Sequence, residues 1–123
     1  MKNSAVSLNI QIHTDKVSEG DLVKAVALCR ELACDKEIFE KLRFVEGEDN
    51  GRYTNIIFNT KNVRKLWRKL KDCLYNNPNI GRSLQSASIA ACEGLHGWDD
   101  YLLLYHYDKA EILDDFPSPD VNN

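Results

Sequence analysis

The chain has 123 residues, 43% hydrophobic and 28% charged, proportions ordinary for one globular domain with its own core. No apolar run approaches the roughly 18 residues of a membrane span, and residues 1–4 open onto alternating residues instead of a signal-peptide block. Together these predict a cytoplasmic chain, off the membrane, whose four cysteines stay reduced. The formal charge of −3 hides a segregation: residues 1–92 carry 15 Lys and Arg against 11 Asp and Glu, whereas residues 93–123 carry Lys109 alone against eight acids.

Val6, Leu8, Ile10 and Ile12 alternate with Ser7, Asn9, Gln11 and His13, the period-two pattern of a strand with one buried face. Ser18-Glu19-Gly20-Asp21 predicts a helix start in which Ser18 accepts from a backbone N–H and Asp21 reaches back. Leu22, Ala25, Val26, Cys29, Leu32 and Ala33 follow as one helical stripe. Asp35 is expected to cap a further helical stretch carrying Ile38, Phe39 and Leu42. Residues 43–46 and 52–59 read as two strands around Gly47-Glu48-Asp49-Asn50-Gly51, because Asn-Gly tolerates the positive φ of tight hairpins.

Thr60 is expected to cap a second helix over residues 61–74, which buries Val63, Leu66, Trp67, Leu70, Cys73 and Leu74. Asn76-Asn77-Pro78-Asn79 ends it, since proline lacks an N–H and disfavours helix in the residue before it. Residues 84–92 and 101–107 are the last predicted strands, and Pro117 and Pro119 mark residues 117–123 as a mobile tail on a single domain of residues 1–116. The order β, α, β, β, α, β, β predicts an α+β two-layer sandwich. Its mainly antiparallel sheet follows the ferredoxin-like βαββαβ order plus a C-terminal strand, with two helices on one face. Such a fold hosts many unrelated activities, so function must be argued from side chains.

Three groups of side chains could carry one. Lys61, Arg64, Lys65, Arg68, Lys69 and Lys71 form a basic cluster on the second helix, and a phosphate backbone would suit such a face. The negative net charge, the absence of a Gly-rich loop and the lack of paired aromatics on residues 53–58 make nucleic acid the alternative and not the first reading. Cys92 and His96 are close enough in sequence for an imidazole to activate a thiol, giving a small Cys/His enzyme as a second alternative. No nucleophile motif surrounds them. Cys92, His96 and Asp99 or Asp100 do not have the paired short spacings of a zinc site, so no metal, cofactor or catalytic residue is expected. His13 and His106 read as strand-surface histidines.

The third group is collective. Asp99, Asp100, Asp108, Glu111, Asp114 and Asp115 lie in one stretch of sequence with Trp98, Tyr101, Tyr105 and Tyr107. Tyr101, Leu103, Tyr105 and Tyr107 alternate, which a single strand face would also explain. Aromatic residues favour interface centres, and acids speed the approach of a basic partner. The expectation is a non-enzymatic protein-binding module with an acidic, aromatic C-terminal face. Its sharpest form is an immunity or antitoxin-type inhibitor of a basic toxin or nuclease.

Overall fold

The computed structural model describes residues 5–36, 38–49, 51–94 and 96–116; the expected tail at 117–123 lies outside them. Five antiparallel strands form one sheet: β1 (Val6–His13), β2 (Lys41–Glu48), β3 (Arg52–Thr60), β4 (Ser88–Gly94) and β5 (Gly97–His106). Their order across the sheet is β2-β3-β1-β4-β5, which is the ferredoxin-like arrangement with one strand added beyond β4. The helices are α1 (Glu19–Leu32), α2 (Val63–Leu70), which runs on into a π-helical turn at Lys71–Tyr75, and α3 (Gly81–Ala87).

The alternation in β1 acts as expected. Leu8, Ile10 and Ile12 are buried, and Ser7, Asn9 and Gln11 stay half-exposed on the other face. β3 repeats the pattern with Ile56 and Phe58. These side chains meet Ala25 and Cys29 of α1 and Leu66, Trp67 and Leu70 of α2 in one core cluster, so the helices cover one face of the sheet and leave the other open. Asn9 and Asn55, and Ser7 and Asn59, hydrogen-bond to each other across that open face. The β2–β3 hairpin closes through Gly51 at φ 123°, whose carbonyl accepts from the Asp49 amide at 2.9 Å.

Three local expectations need correction. Asp35 does not start a helix: the Ile38 and Phe39 amides both donate to its carbonyl in a single turn, and Leu42 belongs to β2. The Thr60 hydroxyl donates to the Ile38 carbonyl and accepts from the Asn62 amide, which fixes that turn against the end of β3. Asn62, and not Thr60, therefore caps α2, accepting from the Lys65 amide at 3.2 Å. Ser18 caps α1 as expected, but the Asp21 carboxylate accepts from the Ser83 hydroxyl of α3 instead of reaching back.

The largest difference lies in residues 84–87, expected as the start of a strand and found in the helix Gly81–Ala87, so the chain has three helices among its described residues. The Asn77 side chain accepts from the Asn79 and Ile80 amides, and the Gly81 amide donates to the Asn77 carbonyl. The turn that ends the preceding helix thus also starts α3. Ile80, Leu84 and Ala87 then fall on one buried side.

Candidate protein-docking site

The β4–β5 turn is built around one carboxylate. Asp100 Oδ1 accepts from the His96 amide at 2.8 Å, and Asp100 Oδ2 lies 3.1 Å from His96 Nδ1. These hydrogen bonds, with the backbone one contributing most, hold the Asp100 carboxyl below the usual carboxylate range. The grip is therefore present at neutral pH and is lost as pH falls through that lowered value. Gly97 adopts φ 77°, and Gly94 lies so close to Asp100 that a Cβ there would fall 2.1 Å from the Asp100 carbonyl oxygen. Glu93 Oε1 accepts from the Ser7 amide at 2.6 Å and ties the base of the hairpin to β1.

Asp100 is thus committed to its own turn, and its neighbours are presented to solvent. Trp98 is 46% exposed, Tyr101 is 52% exposed, and Asp99 is exposed between them. All three are exposed within the first residues of β5, where the ladder with β4 is irregular between Cys92 and Gly94. The remaining predicted residues are spread along the strand and past its end. A register shift between Ala90 and Ala91 places an extra residue, Leu104, in β5, so Leu103 pairs with Ala91 while Tyr105 pairs with Ala90. Because of that bulge, Tyr105 points to the helix side, 4.8 Å from the Tyr75 ring, and donates to the Gln85 carbonyl. Lys109 Nζ donates to its hydroxyl at 2.9 Å.

Tyr107 lies at the far end, with Lys16 Nζ 4.0 Å from its ring centroid and the His13 and His106 rings at 5.2 and 4.7 Å. Both histidines lie half-exposed at strand ends, and the ring neighbours are what the spacing did not announce. Burial, then Lys16 and His106, hold the His13 imidazole below its usual pKa. This grouping escaped the sequence reading because it joins the ends of β1 and β5, which lie two strands apart.

Asp108 organises the turn after β5 by accepting from the Ala110 amide, and Glu111 is exposed. Asp114 returns to the outer edge of β5, where its amide donates to the Leu103 carbonyl and its carboxylate accepts from the Leu103 amide, both at 2.8 Å. Asp115 borders a cavity of about 430 Å³ walled by Trp67, Tyr75, Tyr105 and Phe116.

The basic cluster on α2 has its own neighbours. Lys61 pairs with Glu40 at 3.3 Å, Arg64 stacks on Phe116 at 5.2 Å, and Lys71 lies 5.9 Å from the Trp67 ring centroid. Lys65 and Arg68 are exposed, and Lys69 is half-buried. Among the described residues, no acid from Asp99 to Asp115 forms an ion pair with any of them.

Cys92 is fully buried on the core side of β4, and burial, with Glu93 adding to it, pushes its thiol up to about 11. That is the opposite of nucleophile activation, and His96 is occupied by Asp100. All four cysteines are free: Cys29 is also buried, Cys73 half-buried and Cys34 exposed. Alkylation with iodoacetamide near neutral pH is expected to modify Cys34 first and to leave Cys29 and Cys92 unmodified until the chain unfolds. Mass spectrometry of timed digests checks this, and early modification of Cys92 would contradict the buried placement.

Among the described residues, no three His, Cys, Asp or Glu side chains converge where they could hold a metal ion, and no helix is long and apolar enough to cross a membrane. Comparison with protein-family models, with curated proteins and with solved structures finds no match.

Proposed function

We propose that the chain is a protein-binding module that presents Trp98, Asp99 and Tyr101 to a basic partner. The observation that carries this reading is the exposure of two large aromatic side chains on a turn held in one shape by Asp100 and two glycines. Aromatic side chains have few rotatable bonds to order on binding, and they bury a large area when covered. Asp99, Asp108, Glu111 and Asp115 add a negative field that draws in a positive surface and weakens with salt. The absence of ion pairs between these acids and the α2 cations, among the described residues, leaves that field available.

An immunity or antitoxin-type inhibitor of a basic toxin or nuclease is the narrow form of this reading. In it, carboxylates take the place of the phosphates such a target binds. A photo-reactive phenylalanine analogue at position 98, introduced in cells, is expected to give one discrete adduct. Adding Tyr101→Ala and Asp99→Asn should cut its yield about ten-fold or more, the scale of losing an interface hot spot. The same analogue at Val23, exposed on α1, is the control. Equal adducts from both positions, or none from position 98, would count against docking at this turn.

A further inference from the structure

The opposite edge of the sheet carries a separate signal. β2 pairs with β3 along its whole length and has no strand on its other side. The Asp49 amide bonds to the Gly51 carbonyl, and residues of the same parity in the ladder, Lys41, Arg43, Val45 and Gly47, turn their backbone groups toward β3. Leu42, Phe44, Glu46 and Glu48 therefore turn theirs outward. Among the described residues, nothing bonds to them. A regular free edge of this kind is a template for one more strand.

Charge says which strand fits. Lys41 and Arg43 stand at the start of β2, whereas Glu46, Glu48 and Asp49 stand at its end. An added strand of uniform charge meets repulsion at one end or the other. A second β2 laid parallel sets like against like, whereas laid antiparallel it sets Lys41 and Arg43 against Asp49 on the open face, with Glu46 and Glu48 on the other face opposite Phe44 and Leu42. The middle of the edge is apolar: Val45 is 41% exposed there.

We infer that two copies of this chain associate through β2, antiparallel about a two-fold axis at Val45, and continue one sheet across both. A two-fold axis requires a self-complementary patch, and β2 is one. In this register the outward backbone groups of Phe44 and Glu46, and of Leu42 and Glu48, meet those of the other copy in hydrogen-bonded pairs. Val45 meets its own counterpart in a non-hydrogen-bonded pair, where side chains come closest. On the same open face Lys41 lies opposite Asp49 of the other copy, with Arg43 diagonal to that carboxylate. Asp49 belongs to that face, since it borders the cavity there with Gln11, His13 and Tyr53. Apolar contact at the centre and opposite charges at the rim is the composition of an interface. The surface is distinct from the β4–β5 turn, so neither proposal depends on the other.

Light scattering of the full chain up to about 1 mM, a concentration that detects even weak association, is expected to show a dimer. Hydrogen exchange should show concentration-dependent protection of the Leu42, Phe44, Glu46 and Glu48 amides. Val45→Lys, at an exposed position, should weaken association about ten-fold or more by placing like charges opposite each other. Lys41→Glu and Asp49→Lys should each weaken it, and the two together should restore it. A monomer throughout overturns the inference, and so does a dimer indifferent to Val45→Lys or unrestored by the charge exchange. Should a variant fail to fold, the wild-type protection pattern decides: no protection at those four amides overturns it.

Discussion

Replacing Phe58 with alanine is expected to destabilise the fold by about 3–5 kcal/mol, the range for deleting a large aromatic side chain from a packed core. Phe58 is fully buried in β3, opposite Leu8 of β1 and Leu42 of β2, and its ring lies 5.7 Å from that of Phe39. It therefore joins the centre of the sheet to the turn that follows α1. Small domains are held by only about 5–15 kcal/mol, so this single change takes a large share of the total. Urea unfolding followed by circular dichroism should show a lower midpoint with an unchanged slope. Conversely, Ile57→Ala, on the half-exposed open face, should cost much less. Equal losses at the two positions would mean that the buried face of β3 is not the centre of the core.

The buried face of β1 was legible in the sequence, because strand periodicity is a local property and its polar partners mark the open face; in β3 the run Ile56-Ile57-Phe58 is apolar throughout, and the contrast between Ile57 and Phe58 comes from the pairing with β1. α1 was equally plain, since its stripe is long and its Ser18 cap precedes it. α3 was not. Its residues, Gly81-Arg82-Ser83-Leu84-Gln85-Ser86-Ala87, include little apolar surface, and the signal that starts it is the Asn77 side chain bonding to two amides in a turn. Gly81 is there for a tertiary reason: a Cβ would fall 2.4 Å from the Tyr75 carbonyl oxygen.

The candidate site was legible as composition and not as arrangement. Alternation put Tyr101, Tyr105 and Tyr107 on one face, but the extra residue at Leu104 turns Tyr105 toward the helices. No pattern in the sequence announces that bulge. Asp99 and Asp100 look equivalent in sequence, yet one bonds His96 and the other is free in solvent, because only Asp100 comes back against Gly94. Separating a structural acid from an available one required the turn itself.

Gly94→Ala is the change that tests this turn. The new methyl carbon would lie 2.1 Å from the Asp100 carbonyl oxygen and 2.9 Å from its Oδ1, so the two strands must separate. Backbone oxygen cannot rotate aside as a side chain can, and overpacking of this kind costs about 1–3 kcal/mol. The separation also loosens Asp100 from His96, and with it the backbone that carries Trp98 and Tyr101. The expected result is a lowered unfolding midpoint, a His96 amide that exchanges faster, and loss of the adduct from position 98. Gly97→Ala should be milder: the space is open apart from Glu93 Oε2 at 3.7 Å, and the cost is the positive φ alone, about 1–2 kcal/mol. Gly20→Ala meets nothing within 4 Å on α1 and should stabilise by about 0.4–1 kcal/mol. If Gly94→Ala sped exchange of the His96 amide and yet kept the adduct, the aromatic side chains would be docking without the turn that Asp100 builds. If it removed the adduct while Gly97→Ala and Gly20→Ala kept it, binding would follow the shape of this hairpin and not the overall stability of the chain.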